Sequence, residues 1–89
     1  MKHNPSIPPS EFLQRRFKTK RPIMPNEYDA YEIANGYEIE WTGDGENYVV
    51  NRHWFDWDVG HVSDTDLFMG SLDECADFIA RELGIYEDD

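Results

Sequence analysis

Residues 31–50 alternate apolar and acidic side chains, and this pattern restricts the fold more than any other feature of the chain. A period of two residues places one set of side chains on each face of a β-sheet. We therefore predict adjacent strands with one face in a core and an acidic face in water. The predicted buried face consists of Tyr31, Ile33, Tyr37, Ile39, Trp41, Tyr48 and Val50. The predicted outer face consists of Glu32, Glu38, Glu40, Val49 and Asn51.

The first turn in this stretch determines how its strands pair. A two-residue turn would place Ile33 opposite Glu38, which mixes the two faces. A three-residue loop over residues 34–36 keeps the faces separate if Gly36 is left-handed, so we predict that loop. The same register places Glu32 opposite Glu38. Like charges in this position destabilise a sheet, and folding alone gives no reason for them.

The second turn agrees with the first. Asp44-Gly45 is a typical two-residue hairpin turn, and it places Trp41 opposite Tyr48 on the predicted apolar face. The third strand is expected to run to Phe55, and residues 56–60 are expected to turn the chain. A fourth strand is expected around residues 61–62 or 66–69, with residues 63–66 as a turn.

A helix is predicted over residues 71–83. Ser71 and Glu74 have the spacing of a capping box, with Ser71 as the N-cap. Gly84 is the expected left-handed terminator, and Ile85 supplies the apolar contact of a Schellman motif. The expected apolar stripe is Leu72, Cys75, Ala76, Ile79 and Leu83, with Phe78 beside it. This helix is expected to cover the sheet, giving an α+β fold with a three- to four-stranded antiparallel meander.

The N-terminal segment differs from the rest of the chain in charge. Residues 1–21 hold six Lys and Arg side chains against Glu11, which gives this segment a charge of about +5. Residues 22–89 have a charge of about −16, so the net charge of the whole chain is −11. We therefore predict a basic N-terminal arm over residues 1–26 and an acidic α+β domain over residues 27–89. Ser10 is expected to cap a short helix over residues 11–17. Its apolar stripe is Phe12, Leu13 and Phe17, which either pack on the domain or belong to a mobile arm.

Composition narrows the classes of function. At 89 residues the chain predicts one domain, and it has neither an apolar run of transmembrane length nor a signal peptide pattern. The single cysteine, Cys75, favours a cytoplasmic location and lies on the apolar stripe of the predicted helix, as expected for a core residue. No nucleophile or phosphate-loop motif is present. We expect no enzymatic activity and no cofactor.

Two clusters near residue 55 have alternative interpretations. His53, Asp56, Asp58 and His61 are potential metal ligands, but they match no established ligand spacing, so no metal site is predicted. Trp54 is expected on one face of the strand, with Phe55 and Trp57 on the other. These aromatics are either interface anchors or covered by the N-terminal helix.

Residues 22–89 are short, strongly acidic and without an enzymatic motif. In these respects the chain resembles small phage-encoded anti-defence proteins, namely anti-CRISPR proteins and DNA mimics. The resemblance implies a stoichiometric inhibitor whose carboxylates imitate phosphates. Alternate residues of a strand lie ~6.5 to 7 Å apart, close to the phosphate spacing of a nucleic-acid strand. One candidate array is Glu32, Glu38, Glu40, Asp44 and Glu46, and a second is Asp56, Asp58, Asp64 and Asp66.

The resulting hypothesis is a non-enzymatic inhibitor of a basic, nucleic-acid-binding effector. The expected contact residues are the two arrays together with Trp54 and Trp57. We expect a protein partner rather than nucleic acid or membrane, and a monomer or homodimer. The alternatives are an antitoxin or immunity protein against a basic nuclease, a nucleic-acid-binding regulator that uses the N-terminal arm, and a metal-dependent enzyme. The acidic charge also serves solubility, which is the simplest explanation of it.

Overall fold

The computed structural model describes residues 6–85, so Lys2 of the expected basic arm lies outside the described residues. Its elements are α1 Pro9–Phe17, β1 Ala30–Glu32, β2 Tyr37–Trp41, β3 Tyr48–Asp56, β4 Gly60–Gly70 and α2 Leu72–Glu82. The strands form one antiparallel sheet in the order β1-β2-β3-β4. The predicted α+β meander is therefore confirmed, with four strands. No helix within residues 6–85 has the length and apolar character needed to cross a membrane.

The β1–β2 hairpin has the predicted register. Tyr31 lies opposite Ile39, and Glu32 lies opposite Glu38. Gly36 is left-handed at φ 83°, as predicted, and Asn35 is left-handed too at φ 51°. Residues 34–36 thus form the predicted three-residue loop, with Asn35 and Gly36 at the centre of a tight turn.

The β2–β3 register also matches the sequence pattern, since Trp41 lies opposite Tyr48 and Ile39 opposite Val50. The connection itself is longer than the predicted two-residue turn. Thr42 still bonds Asn47, and the backbone N–H of Asn47 donates to the carbonyl of Asp44 at 3.1 Å. Four residues, 43–46, therefore form the loop without changing which side chains share a face.

The predicted turn at residues 63–66 is wrong, because β4 runs through them as one strand. The β3–β4 register shifts between Val50 and Arg52, which marks a bulge in β4. Asp66 is left-handed at φ 56°, and its N–H donates to the Asn51 side-chain carbonyl at 3.0 Å. At the bulge the N–H of Asp66 has no partner in the strand ladder, and the Asn51 side chain on β3 accepts it instead. The strand can therefore continue through the bulge.

Helix α2 begins as predicted. Ser71 is the N-cap, its Oγ accepts the N–H of Glu74, and the Glu74 carboxylate accepts the N–H of Ser71. At the other end Gly84 is left-handed at φ 74°, and the N–H of Ile85 donates to the carbonyl of Ala80 at 2.7 Å. These bonds form the predicted Schellman motif.

Helix α1 begins earlier than the sequence predicted, so the expected Ser10 cap is wrong. Proline at the first helical position has its φ already set, and here Pro9 takes that position with Pro8 as the N-cap. The carbonyl of Pro8 accepts the N–H groups of Glu11 and Phe12 at 3.1 and 3.0 Å. Ser10 is thereby placed within the first turn.

Both helices contribute to one core on one face of the sheet, which we call the inner face. Phe12 and Leu13 of α1 are buried against the rest of this core, as the packed alternative for the N-terminal segment predicted. Tyr31 and Ile33 pack partly buried at its edge. The fully formed core consists of Phe12, Leu13, Tyr37, Ile39, Tyr48, Val50, Leu72, Cys75, Ala76 and Ile79.

Two expectations about the faces are wrong. Trp41 was expected in the core but is 39% exposed, because its indole N–H reaches back to the carbonyl of Gly45 at 2.9 Å. The outer face was expected to lie in water, yet Val49, Glu38 and Asn51 are buried there. Strands β1 and β4 flank these residues, and hydrogen bonds between the polar side chains make their burial possible.

Candidate functional site

Three carboxylates share the outer face of the sheet where β1 and β2 pair. Glu32 lies directly opposite Glu38, and Glu40 follows two residues further along β2. Glu38 is only 9% exposed, Glu40 is half-buried, and Glu32 is exposed. We call Glu32, Glu38 and Glu40 the carboxylate face. In the described part of the chain, no Lys or Arg side chain forms an ion pair with any of them.

Asn51 holds two of these carboxylates in place from the neighbouring strand. Its side-chain amide donates to Glu38 at 3.1 Å and to Glu40 at 2.9 Å, and Asn51 is 2% exposed. Since its carbonyl accepts the N–H of Asp66, all of its bonding groups are engaged in one orientation. Asn51 therefore holds Glu38 and Glu40 in a fixed arrangement.

His53 continues the same network towards β4. Its Nε2 lies 2.8 Å from Glu38 Oε1, and its Nδ1 lies 2.7 Å from the hydroxyl of Ser63. The order carboxylate, imidazole, hydroxyl is that of a serine hydrolase relay. In such a relay, however, Nδ1 bonds the carboxylate and Nε2 the hydroxyl, whereas here the two ring nitrogens are exchanged. Ser63 is exposed on β4 and does not line either of the two depressions that Glu38 and His53 border. The network instead ties β2, β3 and β4 together.

The carboxylate face borders two open depressions of about 280 and 410 Å³. Glu32, Glu38 and His53 line both of them. Tyr28, which is 70% exposed, forms part of the wall of the larger one together with Asn26. A guanidinium or ammonium group entering the larger depression would meet carboxylates and an aromatic ring.

The remaining acidic candidates lie elsewhere. Asp44 and Glu46 are exposed in the β2–β3 loop, beyond the end of the carboxylate face. Asp64 lies opposite Arg52, and Asp66 occupies the bulge. The fifth and sixth, Asp56 and Asp58, belong to the end of the β3–β4 hairpin, so the second candidate array is spread along the hairpin from its bulge to its end.

The aromatic candidates lie at the end of the β3–β4 hairpin, which we call the hairpin tip (residues 54–62). Trp57 is 92% exposed, Val59 is 75% exposed and Phe55 is 53% exposed. Phe55 makes edge contacts with Trp57 and His61, at 5.1 and 5.4 Å between ring centroids. Helix α1 does not cover these side chains, because its buried residues pack into the core on the inner face.

Trp54 is the exception among the aromatics. It lies on the inner face, half-buried, with the Arg52 guanidinium 5.2 Å from its ring. The same guanidinium lies 5.0 Å from the ring of Tyr37. Arg52 is thereby held between two aromatic rings on the side away from the carboxylate face.

The basic residues of the N-terminal segment are partly engaged within the protein. Arg16 is 8% exposed and pairs with Asp77 of α2 at 3.2 Å. Arg15 pairs with Glu11 at 2.8 Å along α1. Lys20 and Arg21 are exposed in the segment that follows.

The potential metal ligands are not brought together. His53 points into the polar network, whereas Asp56 accepts the N–H groups of Asp58 and Val59 at 2.8 and 3.2 Å as a turn cap. Among residues 6–85 no three His, Cys, Asp or Glu side chains are grouped to hold a metal ion. Cys75 is fully buried, and burial raises the pKa of its thiol to about 12, which is unsuited to a nucleophile.

Several residues of these two surfaces have no role in the hypothesis drawn from the sequence. Asn51 was assigned to the outer face without a partner, and Ser63 was assigned to a turn. The bonds of Asn51, His53 and Ser63 join residues from three strands, which no local pattern reveals. For Tyr28, Val59 and His61 the only signal was an apolar or aromatic residue among polar turn residues.

His53, which contacts Glu38 of the carboxylate face, and Phe55 of the hairpin tip lie on the same face of β3, so His53 connects the two surfaces. The carboxylate face is charged, with Glu38 and Glu40 held by hydrogen bonds, and the hairpin tip carries exposed apolar side chains. In comparisons with known proteins, no protein family, curated protein or solved structure matches this chain.

Proposed function

We propose that this protein is a non-enzymatic inhibitor that binds a basic, nucleic-acid-binding protein with its carboxylate face in the place of phosphates. The observation that carries the proposal is the placement of Glu32 opposite Glu38, with Glu40 on the same face and no Lys or Arg bonded to them in the described residues. Like charges in this position oppose folding. A partner with positive charge gives the arrangement a use that solubility does not.

The hydrogen bonds of Asn51 support the proposal. A surface that only keeps a protein in solution needs no particular geometry for its charges. Here a buried amide holds Glu38 and Glu40 at 3.1 and 2.9 Å, so these carboxylates lose little further freedom when a partner binds. Preorganised charges are what a competitive mimic of a rigid phosphate backbone requires.

The spacing supports it as well. Glu38 and Glu40 are alternate residues of β2 and therefore lie ~6.5 to 7 Å apart along the strand. Glu32 adds a third carboxylate across the pair, where directly opposite Cβ atoms are about 5 Å apart. A basic groove that accepts successive phosphates is matched by carboxylates at these intervals.

The most concrete form of the proposal is an anti-CRISPR or similar anti-defence protein of a phage, acting on a nucleic-acid-binding effector in the bacterial cytoplasm. An antitoxin or immunity protein against a basic nuclease would rest on the same physical basis, and the neighbouring genes distinguish the two. A regulator that binds nucleic acid through the N-terminal arm is less favoured, since Arg15 and Arg16 already pair with carboxylates of this chain.

The test is capture of proteins from a bacterial lysate by the immobilised chain, with a single-stranded oligonucleotide as competitor. We expect capture of a nucleic-acid-binding protein that weakens with salt and with the oligonucleotide. The double variant Glu32→Gln with Glu40→Gln should raise the Kd of the purified captured protein by about tenfold or more. Glu→Gln keeps the shape and removes the charge.

The matched control is Glu11→Gln with Glu82→Gln, which removes the same charge from the two helices on the other side of the sheet. It should leave the Kd within about threefold of the wild-type value, because distant surface charges are screened. An equal loss of affinity in both variants would mean that the partner responds to the net negative charge and not to the carboxylate face. Capture that neither salt nor oligonucleotide weakens would contradict the proposal outright.

A further inference from the structure

We infer that the hairpin tip is a second binding element, which inserts Trp57 into an apolar pocket bordered by Lys and Arg side chains on the protein that the carboxylate face binds. This inference rests on the proposed function and adds a different contact to it. Three features of the tip carry it, namely its projection, its exposed apolar side chains and the charges around them.

The tip projects beyond the rest of the sheet. Strand β2 begins at Tyr37, which lies opposite Arg52, so the later residue pairs of β3 and β4 have no ladder partner on the β2 side. From Trp54 to Asp56 the hairpin therefore advances about 7 Å as a two-stranded ribbon, before the turn adds its own length. A convex ribbon of this kind reaches into a concave site on another molecule.

The apolar side chains of the tip are not used for folding. Trp57 keeps 92% of its surface exposed and Val59 keeps 75%, so neither packs into the core. The edge contact between Phe55 and Trp57, with the ring planes at 88°, positions the indole without burying it. Trp is the residue type that most often dominates the binding energy of an interface.

The charges beside these apolar residues identify the partner. Asp56 and Asp58 flank Trp57 in the chain, and residues 53–70 contain no Lys or Arg. Asp56 is held in place because its carboxylate accepts two backbone N–H groups of the turn. A pocket for Trp57 must therefore tolerate carboxylates at its rim, which basic residues do and acidic residues do not.

The same charges disfavour two other occupants. A lipid surface with anionic headgroups repels a tip that carries aspartates and a chain of net charge −11. A second copy of the chain that paired tip to tip would bring two sets of Asp56 and Asp58 together. Both occupants remain outcomes of the test.

The experiment measures binding of the purified captured protein to the full chain and to Trp57→Ala. Because burial of an indole is not screened by ions, we expect a Kd at least ~30-fold higher at both low and high salt. Glu32→Gln with Glu40→Gln should instead lose its effect as salt rises. Met24→Ala is the matched control, since Met24 is 69% exposed but lies before β1, and its Kd should stay within about threefold.

A photo-crosslinking residue at position 57 identifies what surrounds the tip. We expect crosslinks to apolar residues of the captured protein that have Lys or Arg neighbours, and the same residue at position 24 should give none. Crosslinks to a surface without basic neighbours would overturn the inference. A Kd for Trp57→Ala within threefold of the wild-type value would also overturn the inference. In that case the proposed function survives if Glu32→Gln with Glu40→Gln still weakens binding.

Two further measurements address the other occupants. Wild-type protein that co-sediments with phosphatidylcholine vesicles, with or without 30% phosphatidylglycerol, and loses this with Trp57→Ala would assign the tip to a membrane instead. Self-association in analytical ultracentrifugation that Trp57→Ala abolishes would assign it to a second copy. A lysate that yields no captured protein at all would overturn both the inference and the proposed function.

Discussion

The two halves of strand β3 have opposite environments. All four residues from Tyr48 to Asn51 are buried, whereas from Arg52 to Asp56 the side chains are half-buried or exposed in alternation. In the first half β2 and β4 pair with β3 on its two sides, and α2 packs on its inner face. In the second half only Arg52 still pairs with β2, and from His53 onward β4 is the only ladder partner of β3 in the described residues. One strand thus serves as the centre of the core and as one arm of a projecting ribbon.

The difference separates residues that fold the chain from residues that are free to bind. Each apolar side chain buried in the first half contributes about 1.5–3 kcal/mol to the free energy of folding. A two-stranded ribbon is marginally stable by itself, so the second half depends on the first for its shape. Its exposed aromatics contribute little in return, which is consistent with our proposal that they bind a partner.

Gly36→Ala should have the largest effect on stability, because Gly36 lies where the two halves meet. The His53 N–H donates to the Gly36 carbonyl at 2.9 Å, and a Cβ at position 36 would lie 1.8 Å from the His53 carbonyl oxygen. The left-handed φ of +83° adds strain. We expect the free energy of unfolding, measured by urea denaturation followed by circular dichroism, to fall by more than about 3 kcal/mol.

Gly43→Ala is the control that separates the steric clash expected at Gly36 from the strain of a left-handed backbone. Gly43 is left-handed at φ +85°, but a Cβ there meets nothing within 4 Å. Its substitution should cost about 1–2 kcal/mol, the usual penalty of a left-handed L-residue. If both variants lose the same amount, the contact between Gly36 and β3 does not fix the junction.

Asn51→Ala should have the second largest effect. It leaves two carboxylates without their amide donor and the N–H of Asp66 without its acceptor, in a place that water reaches poorly. We expect a loss of about 2–4 kcal/mol in the same denaturation experiment. Asn47→Ala is the control, because the hydrogen bonds of exposed Asn47 are made by its backbone, and it should change stability by less than about 0.5 kcal/mol.

The buried half was largely predictable from sequence, because its signals are local and agree with one another. The alternation of residues 31–50 and the glycines of the two turns gave the register of three strands, even though the second loop is longer than predicted. The Ser71 and Glu74 pair gave the start of α2. Each of these features depends on neighbours within a few positions in the chain.

The outer face was only partly predictable. The pairing of Glu32 with Glu38 followed from the register, so the carboxylate face was identified. The burial of Glu38 was not, since it depends on Asn51 and His53 from another strand. The continuous β4 was missed for the same reason: a Ser-Asp-Thr-Asp sequence favours a turn, and only the side chain of Asn51 makes the bulge acceptable there.

A third prediction concerns the pH dependence of the buried half. Burial raises the pKa of Cys75 to about 12, and Cys75 Sγ lies 3.5 Å from the Tyr48 carbonyl at the start of β3. Between about pH 9 and pH 10 the unfolded thiol releases a proton that the folded one keeps, so stability should fall as pH rises. Burial also raises the pKa values of Tyr31 and Tyr48, which adds to the fall above pH 10.

The measurement is the slope of the free energy of unfolding between pH 9 and pH 10, for wild type and for Cys75→Ala. The slope should correspond to about one proton more in wild type than in the variant. A thiol reagent at pH 8 should also react with wild type only as fast as the protein unfolds. Immediate reaction of the native protein would mean that the core at the start of β3 is open.

Trp57→Ala should have the smallest effect on stability. Trp57 is 92% exposed, so the truncated side chain loses little buried apolar surface. The free energy of unfolding should therefore change by less than about 0.5 kcal/mol. Val50→Ala in the buried half of the same strand is the contrast and should cost about 2 kcal/mol. Should Trp57→Ala cost as much as Val50→Ala, the indole would be a structural part of the ribbon. The separation between the half of β3 that forms the core and the half that we propose to bind would then no longer hold.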